Sequence, residues 1–197
     1  MSGDVTTSST RKTSERRAAG HYEVLGETYA KFEFFENGWN PYSRFLDVDK
    51  VDLILRKKNS QAPSYREIQV KFGKLYECSI KWEKKHFDIT SWRFFQRDEF
   101  ARYVGRADFF VAYVLAREIG YERDIFVFPV DVFHKLIQNS IPSGEKRKMY
   151  LSRLKGTKDK WIMRTRSGPM SEVDDSNSID VSRYHRNFAL LDSEGSH

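Results

Sequence analysis

The sequence predicts an α/β domain: a central mixed β-sheet flanked by helices. Three observations predict it. Helix-like and strand-like segments follow one another in the order α-β-β-β-β-α-β-β-α. Residues 108–115 are, after the opening Asp108, a continuous apolar run, rich in β-branched and aromatic side chains, which suits a central strand buried on both faces. Aromatics make up 15% of the 197 residues, enough to build one sizeable core and to argue against disorder over most of the length.

Residues 1–18 are rich in Ser, Thr, Lys and Arg and read as a disordered basic tail, ahead of a single domain over 19–197. Residues 21–37 hold many helix formers, and Asn37-Gly38 supplies a left-handed stop. Trp39-Asn40-Pro41 is expected to turn the chain. The short apolar runs at 42–46 and 51–55 are expected strands, and 57–64, with Asn59, Ser60 and Pro63, a turn. Residues 65–72 alternate, and Gly73-Lys74 is expected to turn them into a strand at 75–80, making a meander. Trp92, Phe95, Phe100 and Tyr103 lie near helical spacing, so a second helix is expected over 91–103, closed by Gly105. After the run at 108–115 come a strand at 124–129 and a short helix at 130–137, entered through Pro129 and Asp131. Residues 148–154 and 160–164 suit late strands, 168–177 a polar loop, and 181–191 a closing helix.

Several function classes are excluded or made remote. No apolar stretch approaches the roughly 20 residues that span a bilayer as a helix. The opening Met1-Ser2-Gly3-Asp4 lacks the charged-then-apolar pattern of a secretory signal, so a cytoplasmic location is expected. One cysteine, Cys78, permits no internal disulfide, and the five histidines are scattered, which disfavours a zinc site. No P-loop, dinucleotide fingerprint or nucleophile elbow is present. The net charge of +6 leans toward a polyanionic partner.

The chemistry concentrates between residues 47 and 74. Side chains alternate along a strand, so Glu67, Gln69 and Lys71 share one face while Ile68, Val70 and Phe72 share the other. If the strand carrying Asp52 pairs with this one, its carboxylate can face the polar row. Asp52 then offers a carboxylate, Gln69 an amide oxygen and Val70 a backbone carbonyl, the oxygen donors that Mg²⁺ prefers. Lys71 can orient the attacking water or help deprotonate it, and can stabilise charge on a phosphate. The same alternation also describes any half-exposed antiparallel strand, with Glu67 and Lys71 as surface residues.

The runs Val51-Asp52-Leu53-Ile54 and Ile68-Gln69-Val70-Lys71 resemble the PD-(D/E)xK nuclease superfamily, in its Gln-x-Lys variant, which includes intron-encoded endonucleases and Holliday-junction resolvases. Gly26-Glu27 in the first helix, Gly38-Trp39 after it, and the later strands at 107–111 and 125–129 extend the likeness over about residues 20–137. The resemblance implies a restriction-endonuclease-like core with a C-terminal extension over 138–197. It implies a Mg²⁺-dependent endodeoxyribonuclease, with Mn²⁺ able to substitute, that cuts double-stranded or branched DNA site-specifically or structure-specifically. Asp52, Gln69, Lys71 and Glu27 are its expected catalytic residues, and Asp52, Gln69, Glu27 and Glu67 its expected metal ligands. Gln69 stands where an acid is usual, so Glu27 or Glu67 is expected to restore the missing charge. Asp47 and Asp49 compete with Asp52 for the role of the acid. The alternative is a catalytically silent nuclease fold that only binds nucleic acid.

Lys74, Lys81, Lys84, Lys85, Arg93 and Arg97 interleave with Trp82, His86, Trp92 and Phe94, a pattern that suits a nucleic-acid surface and equally a solvated hairpin. A second basic stretch runs from Lys146 to Lys160. Cutting both strands of a duplex needs two active sites, so a homodimer is expected.

Overall fold

The protein is described here by a computed structural model covering residues 7–43, 50–58, 64–117 and 123–192. Helix α1 spans Thr7–Glu36. It therefore begins inside the segment expected to be a disordered tail. No proline interrupts it, and its Lys, Arg, Glu and Ala residues are good helix formers. Gly38, at φ +87°, ends it as expected.

Strand β1, Trp39–Ser43, occupies the expected turn. Pro41 is tolerated there because β1 is an edge strand of the sheet. Strand β2 spans Leu53–Lys57, two residues later than expected, and β3 runs unbroken from Tyr65–Glu77. The turn expected at Gly73 is absent, because this glycine serves close approach instead. A Cβ on it would lie 2.7 Å from Leu115 Cδ2, Ser91 Oγ and the Tyr113 hydroxyl. Helix α2, Lys81–His86, leads into β4, Phe87–Gln96.

The predicted helix at 91–103 is thus a strand followed by a 3₁₀ turn at Ala101–Tyr103. Trp92, Phe94 and Phe95, with Ile89 and Thr90 just before them, favour extended backbone. Pairing with β8, Lys146–Leu154, supports β4 along nearly its whole length.

Strand β5, Phe109–Ala116, is buried at every residue, as expected of a central strand. Strand β6, Arg123–Pro129, and helix α3, Val130–Asn139, also fall where expected. Then come β7, Ile141–Ser143, and β8, with β9, Trp161–Arg164, and β10, Ser178–Asp180, completing the sheet. The expected closing helix resolves into two 3₁₀ turns, Ser182–Tyr184 and Phe188–Leu191.

The class is α+β rather than α/β. Ten strands form a large sheet, antiparallel except where β3 runs parallel to β5 among the described residues. Strand β3 belongs to two halves. Its first part lies in the mixed half β1-β2-β3-β5-β6, and its last residues begin the antiparallel half β3-β4-β8-β9-β10.

Alternation along β5 feeds two cores. Phe110, Ala112 and Val114 face α1 with Phe34, Leu53 and Phe72. Val111, Tyr113 and Leu115 face α3 and the second half, against Phe133, Met149 and Trp161. A third, smaller cluster under α2 holds Cys78, Phe87, Ile162 and Met170. Among the described residues no helix is long and apolar enough to cross a membrane.

Candidate active-site cleft

The β2–β3 ladder ends at the pair Leu53–Ile68, and the β3–β4 ladder starts at Leu75–Ser91. Between the two, β3 is paired to β5 alone. Side chains satisfy the backbone that this break leaves open. Asp52 Oδ2 accepts a 2.6 Å hydrogen bond from the Val70 amide, taking the place of a ladder acceptor. Arg93 donates at 2.6 Å to the Phe72 carbonyl. Leaving either backbone group buried and unpaired would cost about 1–3 kcal/mol, so the sheet can separate here only because these side chains reach it.

The gap is a cleft of about 300 Å³, lined by Glu23, Glu27, Lys50, Asp52, Gln69, Val70, Lys71, Phe72 and Arg93. Helix α1 roofs it. Gly26 lets the helix approach closely, since a Cβ there would stand 3.3 Å from the Phe72 ring. That approach carries Glu23 and Glu27, one helical turn apart, to the cleft. Lys50, at the mouth, adopts φ +52°, a left-handed backbone rare for a residue with a Cβ.

Four of the residues singled out from the sequence therefore meet in one place: Glu27, Asp52, Gln69 and Lys71. Gln69 is 4% exposed, and its Oε1 has no hydrogen-bond partner among the described residues. Lys71 is held by Glu99 at 2.7 Å, with both side chains largely buried, and its ammonium lies 5.5 Å from the Phe100 ring centroid.

Glu67 does not join them. It is bound by Arg106 at 3.0 Å, and the same guanidinium pairs with Asp108 at 2.7 Å. Hydrogen bonding from Arg106 holds the Asp108 carboxyl below its ordinary range. Glu67 is committed to fastening the entry to β5, where its own amide bonds the Asp108 carbonyl. Asp47 and Asp49 lie outside the described residues.

The expected basic surface is dispersed. Only Arg93 reaches the cleft. Lys74 lies beside the Tyr76 ring, and Arg97 donates to Gln138 on α3. Lys81, Lys84 and Lys85 ride on α2, before the start of β4 and roughly 20 Å along that strand from Arg93. Lys85 is tied there to the Ser171 carbonyl.

Sequence reading missed Glu23, Lys50 and Glu99. The spacing of Glu23 from Glu27 was a usable signal. Glu99 carried none, because a helix was expected where β4 and its following turn bring it to Lys71.

The donor set can be weighed against a hard cation. Among the described residues, no group of three or more His, Cys, Asp and Glu side chains converges as a metal cage. Mg²⁺ needs less, since it keeps several waters and takes one or two carboxylates. Asp52 and the orphaned oxygen of Gln69 fit such an ion, with acids from α1 nearby. The lining holds three acids and three cations, and Glu99 neutralises one of those cations. A phosphate entering this cleft meets net negative charge unless a cation accompanies it.

Comparison with known protein families, curated proteins and solved structures gives no match.

Proposed function

We propose that this chain is a Mg²⁺-dependent endodeoxyribonuclease built on a restriction-endonuclease-like core of the PD-(D/E)xK kind. The observation that carries the reading is convergence: four residues 44 positions apart in sequence at their extremes, Glu27 to Lys71, line one cleft at a break in the sheet. Asp52 and Gln69 would hold the ion, with Glu27 contributing charge or binding one of its waters. Bound Mg²⁺ supplies charge neutralisation at the phosphate and a water of lowered pKa. Lys71 donates hydrogen bonds to the attacking water or to a phosphate oxygen, and Glu99 fixes where its ammonium points. Arg93 and Lys50 offer positive charge to the flanking phosphates.

A second reading, a silent nuclease fold that binds nucleic acid without cutting it, is favoured by one observation. The Lys71 ammonium is already engaged by Glu99.

One assay separates the two readings. Supercoiled, linear and branched DNA are incubated with the protein in Mg²⁺, Mn²⁺ or chelator, beside Asp52→Ala and Lys71→Ala. Cleavage that needs metal and falls at least about a hundredfold in each variant is expected. No cleavage by the wild type, or variants that cut as well, would remove the nuclease assignment.

A further inference from the structure

Strand pairing gathers an aromatic, basic face on the outer side of the second half-sheet. Directly opposed residues share a face, so Trp92 sits with Tyr150, and Phe94 with Lys148. Tyr76 stands opposite Thr90, on the same face. Tyr76, Trp92 and Phe94 are 36%, 37% and 41% exposed, unusual for three large rings side by side. Tyr76 and Trp92 are nearly parallel at 12° with centroids 6.1 Å apart, and Trp92 and Phe94 are 5.7 Å apart. The Lys148 ammonium lies 4.3 Å from the Trp92 centroid and 4.7 Å from that of Tyr150. No carboxylate among the described residues pairs with it. Lys74 lies 5.8 Å from the Tyr76 centroid.

We infer that this face is a stacking platform for single-stranded nucleic acid. Exposed rings accept any base through its π-face, while the lysines between them meet the backbone phosphates. The face carries cations and no acid among the facing positions of β3, β4 and β8 that surround the rings, which disfavours a purely apolar partner. It also adjoins the cleft. Along β3, Val70, Phe72, Lys74 and Tyr76 follow one another on one side in steps of about 7 Å, and the first two line the cleft. A strand that leaves the cleft on the α1 side, the face of Val70 and Phe72, is thereby led across the rings. This binding does not depend on whether the cleft cuts.

The test is fluorescence anisotropy of a short labelled oligo-dT strand in EDTA. The same backbone made abasic and poly-glutamate serve as comparisons. Trp92→Leu and Tyr76→Leu, which keep apolar bulk but lose the ring, are each expected to weaken binding about tenfold. The abasic strand should bind at least about tenfold more weakly than oligo-dT. Lys148→Gln should weaken binding and lower the salt slope by about one. Should Trp92→Leu fail to fold by circular dichroism, Phe94→Leu on the same face reads the same quantity.

Abasic binding equal to that of oligo-dT would overturn the platform in favour of a simple charged surface. Equal competition by poly-glutamate would make it an acidic-peptide surface, and no wild-type binding at low salt would remove it altogether. Trp92-dependent binding without any cleavage would refute the nuclease reading alone. Metal-dependent cleavage with ring-independent binding would refute the platform alone.

Discussion

Lys71 and Glu99 show how one side chain acquires its character from its surroundings. Both are largely buried and meet at 2.7 Å, beside the Phe100 ring. Removing one partner leaves the other charge buried without compensation, whereas replacing both with apolar groups of similar size is often close to neutral. Lys71→Met and Glu99→Leu are therefore each expected to lower stability by about 3 kcal/mol. The double variant should return to within about 1 kcal/mol of wild type. Urea midpoints at unchanged slope measure this. Strictly additive losses would mean that the two side chains are not coupled as drawn. Gln69 belongs at the same scale: a buried amide oxygen left unpaired is costly unless a ligand satisfies it.

At the scale of elements, β3 organises the molecule. It is long enough to leave one half-sheet and enter the other, and the cleft lies where it changes neighbours. Gly73 makes that passage possible, with Leu115, Ser91 and Tyr113 crowding the space a Cβ would take. The three neighbouring atoms belong to buried side chains, so little can yield. Gly73→Ala is expected to destabilise the fold by about 1–3 kcal/mol, the usual cost of overpacking. Thermal and urea unfolding check it. A neutral or stabilised Gly73→Ala would mean that β3 and β5 can move apart, and the cleft would then be less fixed than described. Helix α1 acts similarly through Gly26, whose lack of a side chain sets the distance between the helix and Phe72.

The whole molecule presents a single cleft per chain among the described residues at which these catalytic candidates meet. On the proposed function, one such cleft would hydrolyse one strand at a time. If the protein cuts both strands of a duplex in one encounter, two copies must act together, and the expected species is a homodimer of the 23.3 kDa chain. Sedimentation equilibrium should give twice the chain mass. Supercoiled plasmid should pass to the linear form without accumulating an open circle. A monomer that only nicks would retain the cleft chemistry and remove the dimer. At this scale the net charge of +6 would speed encounter with the proposed polyanionic substrate and make its binding salt-sensitive.

The sequence by itself determined what is local. The buried run that became β5, the apolar strand β6, helix α3 after Pro129 and the stop at Gly38 were legible because periodicity and glycine chemistry act over a few residues. Asp52, Gln69 and Lys71 could be singled out for the same reason, as a short pattern on neighbouring strands. Only the tertiary structure decided the rest. The aromatics of 91–103 fit helical spacing about as well as a strand, and pairing with β8 drew Trp92, Phe94 and Phe95 into β4. Gly73 looked like a turn until Leu115 and Tyr113 occupied the space beside it. Glu67 shares a strand face with Gln69 but is taken by Arg106, while Glu99, distant in sequence, reaches Lys71. Side-chain partnership depends on which strands lie side by side, and that is fixed by long-range packing.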